Sequence, residues 1–462
     1  MLSTREGRIV GLIALLWSAA VSASADDGAG LQGVLAVRGT RVLAAENPDR
    51  AFTPASVQKL VVSAAALHHL GPDYRFVTRL RTAAERDGDT LKGDLILDAG
   101  GDPTWSERFH EKDARAPLRQ LARALKKRGV RTVEGGLLVD LSRFPGRPMP
   151  VDWPVGDVAF SYGSPTSGIA VDENLLWVSM APGGYIGASG RINGPDGVEI
   201  TNRTRTVSKA RHGRGTVDFQ PVWGEPRLVV RGEYPISEGA FNLKVASPDP
   251  EQRAAREIQR VFEQEGITFA QGPSLTRDPV AKSTVLATVT SATVAEIVDP
   301  ILTESNNWLA EMLLRLVSLE LAGEGRLDTG LDLMEDFLEE TVGVPRDSFM
   351  LDDASGLSPF NLLTPNAVVR LLQFVWEQPW RETFQSSLST GSSGTLSRGW
   401  PRLPPVAAKT GTLRATQTLA GVLDPTAKEP IFFVVLLNHR QDARFGLRTQ
   451  IANELWRWYR GR

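Results

Sequence analysis

Thr53-Pro54-Ala55-Ser56-Val57-Gln58-Lys59-Leu60-Val61-Val62 sets a serine and a lysine three residues apart at the start of an apolar run. Thr53 reads as a helix N-cap, Pro54 as the first helical residue and Gly71 as the stop. Leu60, Ala64, Leu67 and Leu70 recur near helical spacing between them. Residues three apart share a helix face, so the Ser56 hydroxyl and the Lys59 amine can meet. Ser56 falls in the first turn, where free N–H groups and the helix dipole favour developing negative charge. A lysine beside apolar Leu60-Val61-Val62 has a depressed pKa and can serve as a base. An exposed Ser and Lys on a helix is the commoner meaning of the spacing, so it decides nothing alone.

Outward from this helix, residues 31–37 and 41–44 read as strands joined through Gly39-Thr40. Helices are predicted over 117–128 and 248–265, and the segment between them, 174–242, has the texture of a small all-β unit. Thr293 and Glu296 spell a capping box. Helices follow at 308–321 and 330–338, then strands at 406–410, 418–423 and 431–437. Leu447, Ile451, Leu455 and Trp458 mark a last helix, whose neighbours Trp456, Arg457 and Arg460 suggest core packing ahead of membrane contact. Strands at both ends with helices between them imply one antiparallel sheet, its edges drawn from both ends, with the middle inserted.

The 462 residues, 42 % hydrophobic, suffice for two or three domains. A net charge of −2, with lysines and arginines spread along the chain, argues against nucleic acid as a partner. No cysteine is present, which removes disulfides, thiol catalysis and cysteine metal sites. The five histidines, His68, His69, His110, His212 and His439, form no H-E-x-x-H, and no G-x-S-x-G elbow occurs. Arg5 and Arg8, an apolar run to Val21 and Ala23-Ser24-Ala25 give residues 1–25 the order of a secretory signal peptide cleaved after Ala25. The mature chain is then expected to be soluble and periplasmic, with no integral membrane segment.

Two further motifs stand downstream. Ser305-Asn306-Asn307 opens a helix, where an ordinary cap is the plain alternative. Lys409-Thr410-Gly411-Thr412 ends an apolar strand; its lysine, hydroxyls and approachable glycine suit a carboxylate, although a solvent-edge lysine is common there. S-x-x-K, S-x-N and K-T-G in this order resemble the penicillin-recognising serine enzymes. The gap from Ser56 to Ser305 is more than twice that from Ser305 to Lys409. This order of spacings is similar to the class C low-molecular-mass penicillin-binding proteins, the D-alanyl-D-alanine carboxypeptidase/endopeptidase family. Gly100-Gly101-Asp102-Pro103-Thr104 resembles that family too. So does Asp352-Asp353-Ala354-Ser355-Gly356-Leu357-Ser358, ahead of Asn361 and Thr364-Pro365.

The resemblance implies an α/β fold, an antiparallel sheet plus helical lobe of the serine β-lactamase kind, built from residues 26–80 and 278–462. An inserted domain would occupy 81–168 and 245–277, and a nested β domain 169–244. It implies Ser56 as acylated nucleophile, Lys59 as base, Ser305 as proton relay and Asn307 as orienting amide. Lys409, Thr410, Gly411 and Thr412 would bind the terminal carboxylate. Asp157 and Tyr162, in Trp153-Pro154-Val155-Gly156-Asp157-Val158-Ala159-Phe160-Ser161-Tyr162, fall where the family binds the free amino-acid end of a diaminopimelate side chain. Pro359 stands where some members carry arginine and Arg414 where some carry glutamine, so Arg414 is expected to take over recognition of the side-chain carboxylate. Partners would be peptidoglycan peptide stems and β-lactams, with no metal or cofactor. Two rivals stand beside this reading: a β-lactamase or esterase of the same fold, against which no E-x-x-L-N follows Ser305, and a non-catalytic wall-binding protein, against which every motif residue is present.

Overall fold

A computed structural model describes residues 30–111, 113–209, 216–280, 282–440 and 444–461; the expected signal peptide, residues 1–25, lies outside them. The chain opens with β1 (Leu31–Arg38) and β2 (Arg41–Glu46), joined through left-handed Gly39. Near the other end lie β3 (Ser389–Thr390), β4 (Val406–Leu413), β5 (Thr416–Leu423) and β6 (Ile431–Asn438). They form one antiparallel sheet in the order β2-β1-β6-β5-β4-β3. Strands from both ends thus share a sheet, and β1 pairs with β6 from Leu31–Asn438 to Arg38–Ile431.

Alternation along β1 shows why the sheet is a central layer. Leu35 and Val37 join the core beneath α1 (Lys59–His69), whereas Val34 and Ala36 join Leu447, Ile451, Leu455 and Trp458 of the last helix, Arg444–Arg460. Every residue of β6 is buried, as a strand covered on both faces requires. Trp458 is interior, and the exposed-side Trp456 indole donates to the Arg402 carbonyl at 2.9 Å, so this helix packs as expected.

The entry to α1 differs from its expected form. Ser56 lies in a separate 3-10 turn, Ala55–Gln58, and Thr53 caps nothing. Its N–H instead donates to Asn438 Oδ1 (2.8 Å) and its hydroxyl to the Pro359 carbonyl (3.2 Å). The Thr418 hydroxyl donates to the Pro54 carbonyl at 2.8 Å. Bonds from the sheet therefore shape this entry, and they outweigh local capping preference.

The helical lobe continues with α2 (Val294–Thr303), which begins at the capping box read from Thr293 and Glu296. The α3 helix (Asn307–Ala322) is capped by Asn306 and ends at left-handed Gly323. The helix expected at 330–338 spans Leu327–Asp336, and a π-type turn, Phe337–Thr341, follows. Between α1 and α2 lies a five-stranded sheet, in the order Ser274–Thr276, Leu137–Asp140, Leu95–Asp98, Arg75–Thr82 and Thr284–Thr293. Helices Ala116–Lys127 and Pro250–Gln264 cover it. Its last two strands pair across the expected 80/81 and 277/278 boundaries, so this sheet draws residues from both sides of them. Two three-stranded sheets lie between Leu175 and Ala246. Among the described residues no helix is long and apolar enough to cross a membrane.

Candidate active site

Lys59 is entirely buried, and its Nζ has three partners. It lies 2.9 Å from Ser56 Oγ and 2.7 Å from Asn307 Oδ1, and it also reaches the Ser355 carbonyl. Two of these oxygens can only accept, while a hydroxyl can also donate. A neutral amine fits the arrangement fully: it donates to Asn307 and Ser355, and its lone pair faces the Ser56 proton. Burial lowers the Lys59 pKa to about 7, against the opposing charges of Asp353 and Glu311.

The second and third motifs meet in the same way. Lys409 Nζ donates to Ser305 Oγ and to the Thr410 carbonyl, both at 2.8 Å. Burial, and then the charge of Lys59, pull the Lys409 pKa well below its ordinary value. A carboxylate beside Lys409 would favour its charged form. The Thr410 hydroxyl pairs with that of Thr395 (2.7 Å), and Thr412 Oγ1 lies 3.4 Å from Gln417 Oε1. At Gly411 a Cβ would stand 2.1 Å from Thr418 Oγ1 and 2.9 Å from the Ser56 nitrogen. Only glycine lets β4 press against the Ser56 backbone. β3 pairs with β4 at Ala407 and Ala408, so among the described residues the K-T-G stretch on that edge has no strand partner.

Beneath Lys59 lies a polar knot that the sequence reading quoted without assigning roles. The buried Asp353 carboxylate accepts from Gly356 N, Ser358 N, Ser355 Oγ, Asn361 Nδ2 and Trp153 Nε1. The knot fixes the turn that offers the Ser355 carbonyl to Lys59. Glu311, one helical turn beyond Asn307 on α3, accepts from Ala354 N (3.1 Å) and Ser355 N (2.8 Å). Burial first, then the Asp353 charge, raise its pKa to about 8. Sequence reasoning missed Glu311, and its four-residue spacing from Asn307 was the available signal.

The inserted segment reaches the same centre. Asn307 Nδ2 donates to the Tyr162 carbonyl at 2.9 Å, and the Tyr162 hydroxyl donates to Asp157 Oδ1 at 3.0 Å. Burial and that bond raise the Tyr162 pKa to about 12. Arg414 stands apart, exposed in the β4–β5 turn, and among the described residues no hydrogen bond or ion pair ties it to Asp157 or Tyr162. The structure thus joins Ser56, Lys59, Asn307, Tyr162 and Asp157 in one chain of contacts, and Ser305 with Lys409 in another.

The family profile described as the D-Ala-D-Ala carboxypeptidase 3 (S13) family matches residues 19–457. A D-alanyl-D-alanine carboxypeptidase of Actinomadura sp. (strain R39) is 31 % identical over 427 residues, covering 87 % of this chain and 76 % of that protein. The crystal structure of penicillin binding protein 4 from Haemophilus influenzae superposes with a TM-score of 0.82 at 24 % identity, covering 93 % of this chain and 97 % of that one. A second structure of the Haemophilus protein, complexed with a β-lactam, gives 0.77 at 23 % identity with the same coverage. At these identities the two structures speak for the fold, an antiparallel sheet with a helical lobe and insertions.

Proposed function

Since the chain belongs to the D-Ala-D-Ala carboxypeptidase 3 (S13) family, we propose that it is a serine-type DD-peptidase of the bacterial wall, acting through an acyl-enzyme on Ser56. The observation that carries this reading is the setting of Lys59 Nζ, held by two acceptor-only oxygens with its remaining valence toward Ser56 Oγ. Lys59 takes the Ser56 proton as Oγ attacks the carbonyl between two D-residues. The N–H groups of Ser56 and Thr412 receive the oxyanion, each donor lowering the barrier by roughly 3–4 kcal/mol. The proton that Lys59 took passes through the Ser305 hydroxyl to the nitrogen as the C–N bond breaks, which leaves Lys59 neutral again, and Lys409, Thr410 and Thr412 hold the terminal carboxylate. Water then hydrolyses the ester and restores Ser56. Cross-links between D-alanine and diaminopimelate are cleaved by the same steps, which makes the enzyme an endopeptidase as well. The composition of residues 5–25 supports export, and with it a periplasmic place of work.

A β-lactam enters the same sequence, but its amine stays tethered after ring opening, so the adduct persists. Intact-mass measurement after penicillin treatment should show one added equivalent, and peptide mapping should place it on Ser56. An adduct elsewhere, or none, would end the reading.

Side-chain recognition is proposed for Asp157, with Tyr162 bonded to it, and for Arg414, exposed in the β4–β5 turn. Asp157→Asn and Arg414→Ala should each slow cleavage of diaminopimelate peptides about tenfold, the scale of one lost charge-assisted bond. Acylation by a simple penicillin should stay nearly unchanged. Equal losses on both substrates would assign these residues to the fold or the central site.

A further inference from the structure

Ser305 sits in a left-handed backbone conformation, φ 65°, between the end of α2 and the Asn306 cap of α3. Its two neighbours are held from outside the lobe. Arg108 Nη1 donates to Glu304 Oε2 at 2.6 Å, and Arg108 Nε donates to Glu173 Oε1 at 3.1 Å. The other oxygen of Glu173 accepts from Asn306 Nδ2 at 2.8 Å. Asn306 Oδ1 meanwhile accepts from Leu309 N at 2.9 Å, so one side chain both caps α3 and fastens it to Glu173.

Glu173 is held in an unusual way. Asp172, Glu173 and Asn174 have φ of 57°, 58° and 57°, three successive non-glycine residues in a region that L-residues enter at a cost. Surrounding bonds hold the turn in place. Arg115 Nη1 donates to both Asp172 oxygens at 3.0 and 2.9 Å, Ser164 Oγ to the Glu173 carbonyl at 3.0 Å, and Asn174 Nδ2 to the Pro165 carbonyl at 2.9 Å. The Glu173 side chain is only 12 % exposed, whereas that of Glu304 is 55 % exposed. Among the described residues, neither Arg108 nor Glu173 has a hydrogen bond or ion pair to Ser56, Lys59, Ser305 or Lys409.

We propose that Glu173, with Arg108, is a positioning residue for Ser305: the clamp on Glu304 and Asn306 sets where the Ser305 hydroxyl stands above Lys409. Through it the inserted segment controls proton delivery to the leaving amine. The inference rests on the proton-relay reading of Ser305, and its consequence is chemical selectivity. An amide substrate must have its leaving nitrogen protonated, whereas a thioester expels a thiolate that needs no proton. Misplacing Ser305 therefore slows the first and spares the second.

The test compares kcat/KM for a D-alanyl-D-alanine amide and the matching thioester, on Glu173→Ala, Arg108→Ala, Glu173→Gln and Ser305→Ala, with the melting temperature of each. Glu173→Ala and Arg108→Ala should lose about ten- to a hundred-fold on the amide and less than about twofold on the thioester. Glu173→Gln, which keeps an acceptor for Asn306, should fall between these and the native enzyme. If Ser305→Ala is amide-selective while the two clamp variants lose both substrates equally, Glu173 is structural only and the inference is overturned. If Ser305→Ala itself loses both equally, the proton-relay reading fails and takes the inference with it.

Discussion

Lys59→Arg should abolish acylation of Ser56, with the β-lactam adduct rate falling at least about 10³-fold, the scale of a lost general base. Lys409→Arg should retain measurable acylation. On the proposed mechanism Lys59 works by being neutral: with a pKa lowered to about 7 by burial, it can present a lone pair to Ser56 at neutral pH. Arginine stays protonated and has no such lone pair. Lys409 faces Ser305 and a backbone carbonyl, and its proposed partner is a substrate carboxylate, which a guanidinium can also hold. In the unaltered enzyme, acylation should rise with pH through about 7, because the protonated form that predominates below it cannot accept the Ser56 proton. Time-resolved intact mass during penicillin exposure, with thermal melts as folding controls, reads both variants. Equal losses in the two would show that the lysines do not divide the work this way.

Asp353→Asn should be the most destabilising single change around the site. Five donors converge on the buried carboxylate, and an amide presents only one oxygen. In either flip state at least two N–H donors face an NH2 group, at about 1–3 kcal/mol apiece, so the loss should reach about 2 kcal/mol or more. A denaturant midpoint far below that of the parent is the expected result. A second readout follows from charge. Asp353 raises the Lys59 pKa, so its removal should move the acid limb of acylation to lower pH. An unshifted limb with ordinary stability would mean that the knot neither fixes nor electrostatically tunes Lys59.

The parts of this molecule that were legible in sequence share one property: their geometry is local. Ser56 and Lys59 meet because three residues make one turn, and Thr293 with Glu296 closes a capping box for the same reason. The sheet's composition from both ends followed from where apolar runs recur. What could not be read was set by distant partners. Asn438 and Pro359 draw Thr53 out of its expected capping role, and Ser355 and Asn307 complete the Lys59 environment from hundreds of residues away. The left-handed run at Asp172-Glu173-Asn174 carries no glycine to announce it, and bonds from Arg115 and Ser164 impose it. Glu311 was visible only as a charge on an apolar helix until Ala354 and Ser355 came into contact with it.

The pairing of β1 with β6 has a consequence for the order of assembly. The first strand of the described chain gains its central neighbour only when residues 431–438 exist, and the K-T-G strand reaches the sheet through β5 in the same closing stretch. During synthesis, Ser56 and Lys59 are thus made long before the strands that complete their surroundings. The five-stranded sheet and its two covering helices finish much earlier, at Thr293, and need nothing beyond it to complete their own pairing. Because so long a loop must close before the central strands pair, this six-stranded sheet should fold more slowly than the five-stranded one. A nascent chain therefore carries Ser56 without the strand that presses against it until residues 406–413 have been made.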